Sequence, residues 1–411
     1  MTSHSRSDRS QSVRLPKEGH AALGEFQLAP DRLHLNHGSY GAVPRRVRTR
    51  QEEWRAKIER DPTGFFCDVY PEEVRLAAAV AATRFGGAPG DWVFCENATA
   101  AINSVLASFQ LGAGEEIVTT SHAYGAVLKA MRVWAERRGA TLAVVEVPGV
   151  VESEQQVVEL ILGALGDRTR LLVIDHITSA TATIFPAQRI VRAARDRGIA
   201  TLVDGAHAPG QIALDVPAIG CDWYTGNAHK WLFAPRGCGL LWTAPDRQAH
   251  TLPVVLSHGT DRGYTPSFDW IGTRDVSPWL CLKEAADCFD TFGGSALLAR
   301  NRALAAEAAN GLADLLGAEI SAPPEMRAAM AALRLSGLSG NAETASAIRK
   351  RLCDNGVVVP VSAFAGHLWV RISAQIYNEI SDYRRCAAVL KRVLSGRFEK
   401  PVWSATCRSL R

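Results

Sequence analysis

The chain has 411 residues, which is long enough to bury a large core and to form two or more domains. Its 46 basic and 42 acidic residues leave a formal net charge of +4, and this near balance excludes the strong positive field that nucleic-acid-binding proteins use. Nine cysteines occur singly without Cys-x-x-Cys spacing, so no disulfide framework is expected and the thiols are predicted to be reduced.

The first 15 residues are predicted to form a disordered tail, because the segment from Met1 to Arg14 is rich in Ser and Arg and has no apolar stretch. This composition does not fit a secretory signal peptide. No later segment reaches the roughly 18 uncharged apolar residues that a membrane-spanning helix needs. We therefore expect a cytoplasmic protein that acts without a membrane or nucleic-acid partner.

Between about Trp92 and Thr243, short apolar runs alternate with helical stretches, as in a mostly parallel sheet covered by helices on both faces. The predicted strands lie at 92–95, 116–120, 142–147, 170–175, 199–203, 223–225 and 239–242. Helices between them are predicted at 99–109, 124–138 and 187–197. In such a sheet a ligand binds at the carboxyl ends of the strands. The polar residues that closely follow these strands are Asn97, His122, Asp175, Asp204 and Asn227.

After Asp275 the pattern changes to helical runs at 278–289 and 296–316. A small domain is predicted to follow them. Its strands are expected at 331–335, 357–361 and 368–372, and its helices at 343–353 and 379–394. The predicted organisation is thus a large domain at 16–275, which includes the N-terminal segment, followed by linking helices and a small C-terminal α+β domain at 276–411.

The positions of Lys230 and Asp204 in the sequence indicate a catalytic site. Lys230 directly follows the short run from Thr225 to His229, in a polar turn between two apolar stretches. Asp204 follows the predicted strand at 199–203. Alone, a lysine is usually solvated at the surface, and an aspartate after a strand commonly caps a turn. Together they supply what pyridoxal 5'-phosphate requires: an amine for its aldehyde and a buried acid that keeps its pyridine nitrogen protonated.

Several segments in the same order resemble the class V aminotransferase family of fold-type I enzymes, in its isopenicillin N epimerase-like branch. The similar segments are LNHGSYGAVP (35–44), DHITSAT (175–181), DGAH (204–207), HK (229–230), WIGTRD (270–275) and VRIS (370–373). The resemblance covers about residues 30–385. It implies an α/β fold-type I transferase with a mostly parallel sheet between helices, pyridoxal 5'-phosphate as cofactor, and a homodimer with shared active sites.

The resemblance also implies how the cofactor is held. Asn97 opens a helix after a strand, where backbone amides and the helix dipole bind anions, although an ordinary helix cap explains it as well. The implied phosphate contacts are Ala98, Thr99, His229 and, across the dimer interface, Thr273. The remaining implied cofactor contacts are His122, which would stack on the pyridine; His207, which would contact its phenolic oxygen; Asn227; Asp204 and Lys230.

Arg371 resembles the arginine that binds the substrate's α-carboxylate through a bidentate pair, with a surface ion pair as the alternative. Asn36, His37 and Tyr40 are expected on the substrate side, although a tight glycine turn explains that segment structurally too. Tyr124 is the expected proton donor beside the substrate's β carbon; otherwise it is a hydrogen-bonded aromatic that closes a loop.

No metal site is predicted, because His34 and His37, three residues apart, are expected to be loop residues. Cysteine desulfurases of this superfamily carry a nucleophilic cysteine on a loop before the carboxylate arginine, but residues 354–370 contain none and Cys353 falls in a predicted helix. Persulfide chemistry is therefore disfavoured.

The resemblance leaves the reaction open. We expect a lyase that removes the β substituent from a cysteine S-conjugate by carbon-sulfur cleavage, in secondary metabolism such as antibiotic biosynthesis. The alternatives are an amino-acid epimerase, a decarboxylation-coupled oxidative deaminase of a cysteine S-conjugate as in lincosamide pathways, and a catalytically silent binding protein of the same fold. Retention of Lys230, Asp204 and Arg371 argues against the silent protein.

Overall fold

The computed structural model describes residues 17–395, apart from the side chains at 338 and 339, so the predicted tail at 1–15 lies outside the described residues. In chain order the strands are β1 (Leu33–His34), β2 (Trp92–Cys95), β3 (Glu116–Thr120), β4 (Thr141–Val145), β5 (Thr169–Asp175), β6 (Ala200–Gly205), β7 (Trp223–Asn227), β8 (Gly239–Thr243), β9 (Glu319–Ile320), β10 (Met330–Ser339), β11 (Val357–Val358), β12 (Val361–Phe364) and β13 (His367–Ser373).

The long helices pack around and between these strands. They are Arg45–Arg60, Tyr70–Phe85, Ala98–Ser108, Gly125–Arg137, Glu154–Gly163, Ala187–Arg195, Leu282–Thr291, Ser295–Leu316, Ala342–Asp354 and Ile380–Leu394. Shorter helices are His37–Tyr40, Pro62–Gly64, Val216–Ile219, Ala228–Trp231, Tyr264–Asp269 and Ser277–Leu280. Among residues 17–395 no helix is both long and apolar enough to cross a membrane.

The central layer is a seven-stranded sheet with the order β2-β8-β7-β6-β5-β3-β4. Strands β3 to β7 pair in parallel, whereas β8 is antiparallel to both of its neighbours. Leu171 and Val173 of β5 pack into one core cluster and Leu172 and Ile174 into another, as expected for a strand buried on both faces. The predicted mostly parallel sheet between helices is confirmed.

A second, antiparallel sheet has the order β12-β13-β10-β9 and a core of its own. The predicted strand at 357–361 is wrong: it divides into β11 and β12, with Pro360, which has no backbone N–H, between them. β11 pairs in parallel with β1, so the N-terminal segment, predicted within the large domain, also joins the small one. This pairing brings the residues after β1 next to β13, where Arg371 lies.

Candidate active site

A cavity of about 450 Å³ lies at the carboxyl ends of β5, β6 and β7. It is lined by Ser39, Tyr40, Asn97, Ala98, Thr99, Tyr124, Ala126, Asp175, Ser179, Asp204, Ala206, His207, Asn227, His229, Lys230 and Arg371. The structure thus brings most of the predicted site residues together. The predicted residues outside this lining are Asn36, His37, His122 and Thr273.

Lys230 lies on the one-turn helix Ala228–Trp231, directly after β7, where the sequence suggested a polar turn. Burial lowers the pKa of the Lys230 amine to about 8, opposed by the nearby carboxyl of Asp204 and assisted by the positive charge of Arg371. Its Nζ lies 3.2 Å from Nε2 of His207. A buried amine with a depressed pKa is available as a nucleophile and as a base near neutral pH.

Asp204, on β6, is almost completely buried beside the lysine. Its Oδ1 accepts a hydrogen bond from the backbone N–H of Ala206 at 2.9 Å. Burial raises the pKa of Asp204, while this hydrogen bond and the charge of Lys230 lower it. A carboxyl in such surroundings is stabilised as an anion when a further cationic group binds next to it.

His207 is 2% exposed, and burial lowers its pKa well below the ordinary value, so its ring is neutral. Its backbone carbonyl accepts a hydrogen bond from Nε2 of Gln211 at 2.8 Å. The ring contacts Lys230 through Nε2, while Nδ1 is buried and has no hydrogen-bond partner among the described residues. His207 therefore retains hydrogen-bonding capacity for a ligand.

The helix Ala98–Ser108 begins at the edge of the cavity. The Asn97 side chain caps it by accepting from the N–H of Ala100 at 2.9 Å, and Oδ1 of Asn227 accepts from the N–H of Ala98 at 2.9 Å. The predicted phosphate contact through the Ala98 N–H is thus already occupied by Asn227. The Thr99 N–H and hydroxyl, with the helix dipole, remain to bind an anion.

His229, the other predicted phosphate contact on this chain, also lines the cavity. Its Nδ1 lies 3.0 Å from the carbonyl oxygen of Cys238 and donates to it, which leaves Nε2 for the cavity. Burial lowers the pKa of His229 to about 4, so the ring is neutral without a ligand. A bound dianion would favour a proton on Nε2, because an opposite charge stabilises the charged imidazole.

Arg371 is only 6% exposed, and no carboxylate pairs with it among the described residues, which argues against the alternative of a surface ion pair. Nη1 donates to the carbonyl of Ser179 at 2.5 Å, and Nη2 donates to Oγ of Ser39 at 2.9 Å and to Oδ1 of Asn36 at 3.3 Å. Burial lowers the pKa of Arg371 to about 10, so it stays cationic near neutral pH. An unpaired buried guanidinium at a cavity wall suits a small carboxylate ligand.

The residues predicted on the substrate side have different positions. Tyr40 is 70% exposed and lines the mouth of the cavity, whereas Asn36 contributes indirectly by holding Arg371. His37 does not face the cavity: it is 3% exposed, and its Nδ1 lies 3.0 Å from the hydroxyl of Tyr377. The predicted substrate contact by His37 is therefore not supported, because the ring packs inside the protein.

His122 also differs from the prediction that it stacks on the pyridine. Its Nδ1 lies 2.8 Å from Oγ1 of Thr181 and its Nε2 lies 3.1 Å from the carbonyl of Val147, and burial lowers its pKa to about 4. These bonds hold the ring in a buried position outside the cavity lining. Tyr124, two residues later and 50% exposed, is the aromatic side chain of this loop that lines the cavity.

Thr273 is exposed and does not line the cavity of its own chain. The next residue, Arg274, donates from Nη1 to Oε1 of Glu96 at 2.5 Å. Glu96 directly precedes Asn97. The segment that carries Thr273 is thus anchored beside the start of the helix Ala98–Ser108.

No cysteine of residues 17–395 lies in the cavity lining. β12 and β13 are joined by the two-residue turn Ala365-Gly366, which leaves no loop between them. Cys353 lies on the helix Ala342–Asp354, and its Sγ accepts a hydrogen bond from Nη1 of Arg32 at 3.0 Å.

Comparison with known proteins decides the family. The model of the class V aminotransferase family, described as "Aminotransferase class-V", matches residues 77–383. The chain belongs to this family. Its cofactor is pyridoxal 5'-phosphate, as the resemblance implied.

Two curated relatives of this chain are named for different activities. Isopenicillin N epimerase of Streptomyces clavuligerus is 34% identical over 392 residues, covering 90% of this chain and 96% of the relative. Putative L-cysteine desulfhydrase 1 of Oryza sativa subsp. japonica is 31% identical over 406 residues, covering 89% of this chain and 83% of the relative.

Solved structures confirm the fold of this class V family member. The cystine C-S lyase C-DES, in complex with cysteine persulfide, matches with a TM-score of 0.77 and 18% identity, over 88% of this chain and 97% of that one. The cysteine desulfurase of Thermococcus onnurineus NA1 matches with a TM-score of 0.78 and 17% identity, over 92% and 99% of the two chains. These matches establish the fold-type I architecture.

The cavity of this class V family member fits the cofactor. Lys230 offers an amine with a depressed pKa, and Asp204 offers a buried carboxyl. His207 has a buried ring nitrogen without a partner among residues 17–395, and the helix start at Thr99 offers an anion site. Amine, acid and anion site occur in one cavity, as this cofactor requires.

Asp175 is the residue that the sequence placed near the strand ends but to which it gave no role. It lines the cavity and is 4% exposed. An aspartate at the end of a strand usually caps a turn, so its type and position alone did not distinguish it.

Proposed function

We propose that this enzyme is a carbon-sulfur β-lyase that acts on a cysteine S-conjugate. The proposal rests on the position of Tyr124, a half-exposed phenol that lines the same cavity as Lys230 and Arg371. A departing thiolate needs a proton donor, and a phenol in the cavity can supply that proton. The relatives named L-cysteine desulfhydrase and cystine C-S lyase support the same reaction class.

The proposed roles follow from the side chains in the cavity. Arg371 binds the α-carboxylate of the substrate and orients its α carbon toward Lys230. The bound cofactor supplies an electron sink for the bond that breaks at the α carbon. Asp204 holds the positive charge of the pyridine nitrogen, the Lys230 amine accepts the α proton, and Tyr124 donates a proton to the departing sulfur.

Replacing Tyr124 with phenylalanine removes this proton donor. General acid assistance contributes about 100- to 10,000-fold, so thiol release from an S-substituted cysteine should slow by that factor in Tyr124→Phe. Exchange of the α proton with deuterated water should change little, since Lys230 handles that proton. Thiol release is measured with a chromogenic thiol reagent, and α exchange by NMR.

Tyr40→Phe is the matched control, because Tyr40 is another exposed phenol at the same cavity mouth. We expect it to affect KM more than thiol release at saturating substrate. Equal losses in the two variants, or undiminished elimination by Tyr124→Phe, would assign the proton donor elsewhere.

The relative named isopenicillin N epimerase, at 34% identity, makes epimerisation the second candidate. Mass spectrometry with chiral analysis of an S-substituted cysteine in deuterated water distinguishes the reactions. Elimination predicts thiol, pyruvate and ammonia. An inverted amino acid deuterated at the α carbon would instead support the epimerase, and release of carbon dioxide would support the decarboxylating oxidative deaminase.

The depressed pKa of Lys230 predicts how cofactor capture depends on pH. Only the uncharged amine attacks an aldehyde, and this amine loses its proton as the pH rises through about 8. Capture of pyridoxal phosphate by the apoenzyme should therefore accelerate about tenfold per pH unit below this value and level off above it. Stopped-flow absorbance measures the rate. A rate that keeps rising about tenfold per pH unit up to the lysine's ordinary value of 10.5 would contradict the effect of burial.

We also propose a homodimer in which Thr273 reaches the phosphate site of the partner subunit. Its exposure, and the anchoring of its segment beside the helix start by Arg274 and Glu96, support this role. Light scattering should give twice the chain mass of 44.4 kDa. Thr273→Val should weaken cofactor retention without dissociating the dimer. A fully active monomer with bound cofactor would contradict the shared site.

A further inference from the structure

Asp175 is a buried carboxyl group beside Asp204, and the proposed reaction gives it no role. β5 and β6 pair in parallel with Asp175 and Asp204 as register partners. Register partners on neighbouring parallel strands project to the same face of the sheet, and the strands lie about 4.8 Å apart. Both residues line the cavity, so two carboxyl groups share one small, poorly solvated space.

The two carboxyls differ in the hydrogen bonds that they accept. Asp204 Oδ1 accepts from the backbone N–H of Ala206 at 2.9 Å. Among residues 17–395, no other residue donates a hydrogen bond to the carboxyl of Asp175, although only 4% of Asp175 is exposed. A negative charge is more stable on the carboxyl that has a donor, and two adjacent anions destabilise each other. Asp204 is therefore the better anion, and Asp175 the better holder of a proton.

The groups around Asp175 agree with this division. Burial and, second, the neighbouring Asp204 raise the pKa of Asp175 well above its ordinary value, and Lys230 opposes them only in part. The adjacent His176 is neutral, since burial lowers its pKa to about 4, and its Nδ1 lies 2.9 Å from the hydroxyl of Tyr224. The side chains of His176 and Tyr224 therefore supply no positive charge to Asp175.

The other charged and titratable groups of the cavity do not neutralise Asp175. His207 is neutral, because burial lowers its pKa well below the ordinary value. Arg371 is cationic but donates to Ser179, Ser39 and Asn36. Lys230 is thus the remaining cation, and the mechanism requires its amine uncharged.

We propose that Asp175 is a positioning residue that keeps its proton and donates a hydrogen bond to the carboxylate of Asp204. The pair then carries one negative charge toward the pyridine nitrogen instead of two. Asp204 then accepts from the Asp175 hydroxyl as well as from the Ala206 N–H. The inference rests on the proposed function, in which Asp204 stabilises the protonated ring.

Ring protonation in the holoenzyme tests the inference without a turnover assay. The enzyme is reconstituted with pyridoxal phosphate labelled with ¹⁵N in the ring, and the ¹⁵N resonance is followed with pH. Asp175→Asn keeps a donor for Asp204, so its ring nitrogen should lose its proton at the wild-type pH. Asp175→Leu keeps the volume without a donor, and its ring should lose the proton at least about one pH unit lower, a tenfold change in that equilibrium.

Two results would overturn the proposal. If the ring nitrogen loses its proton at the same lowered pH in Asp175→Asn and Asp175→Leu, then Asp175 is ionised in the wild type. If the ring nitrogen of Asp175→Leu loses its proton at the wild-type pH, then the Asp175 carboxyl does not support Asp204. Cofactor content and thermal melting verify that each variant is folded, and Asp175→Ala replaces a leucine variant that does not fold. Asp204→Asn is measured in parallel, because an unchanged titration in that variant would refute the role of Asp204 itself.

Discussion

Lys230→Ala should abolish turnover of amino-acid substrates, with a loss of at least about 100- to 10,000-fold, the range for removal of a positioned acid or base. The expected loss is at the upper end because the same amine also holds the cofactor covalently. The variant should fold, since the Lys230 side chain lies at a cavity wall and, among residues 17–395, its hydrogen-bond partner is His207. Turnover is measured by pyruvate or thiol release, and folding by thermal melting.

Lys283→Ala is the matched control. Lys283 is an exposed lysine whose Nζ pairs with Oδ2 of Asp287 at 2.7 Å, far along the chain from the cavity residues. Exposed pairs of this kind contribute about 0 to 1 kcal/mol, so turnover and cofactor content should match the wild type. Appreciable turnover by Lys230→Ala would mean that another lysine serves the reaction.

Asp204→Asn should retain much of its bound cofactor and lose several orders of magnitude in turnover. An amide cannot carry the negative charge that stabilises a protonated pyridine nitrogen, and preorganised charge of this kind is often the largest contribution to a rate enhancement. Since the side chain is nearly isosteric, cofactor content should fall far less than kcat. Steady-state kinetics and the absorbance of the purified protein give both quantities.

The neighbouring Asp175→Asn serves as the comparison. Asp175→Asn replaces a carboxyl with an amide at the register partner of Asp204 on β5. Its turnover should stay within about threefold of the wild type, because the new amide can still donate a hydrogen bond to Asp204. Equal losses in the two variants would mean that the two carboxyls act as one ionised pair. Near-normal turnover by Asp204→Asn would assign the acid to another residue.

The fold followed from the sequence where hydrophobic patterning was strong. β2 and β3 have the predicted limits, since β2 is an apolar run and β3 is rich in the β-branched residues that favour strands. The helix Arg45–Arg60 was not predicted, and its buried side chains are only Val47 and Trp54. Two buried side chains in sixteen residues give only a weak periodic pattern.

The site was predictable where type and order of residues identify the chemistry, as at Lys230 and Asp204. Side-chain direction was not predictable in the loop after β3, where His122 turns to the carbonyl of Val147 and Tyr124 faces the cavity. Successive loop residues have no fixed period, so spacing cannot decide which one faces a ligand. The sequence placed Asp175 near the strand ends but gave it no role, because the role that we propose depends on the pairing of β5 with β6, which no local pattern encodes.

The site of covalent cofactor attachment tests the assignment of Lys230 most directly. The purified holoenzyme is reduced with borohydride, digested, and its peptides are identified by mass spectrometry. We expect a phosphopyridoxyl group on Lys230, in the peptide that contains Asn227-Ala228-His229-Lys230. A phosphopyridoxyl group on any other lysine, or a reduced protein that carries none, would contradict the assignment of Lys230.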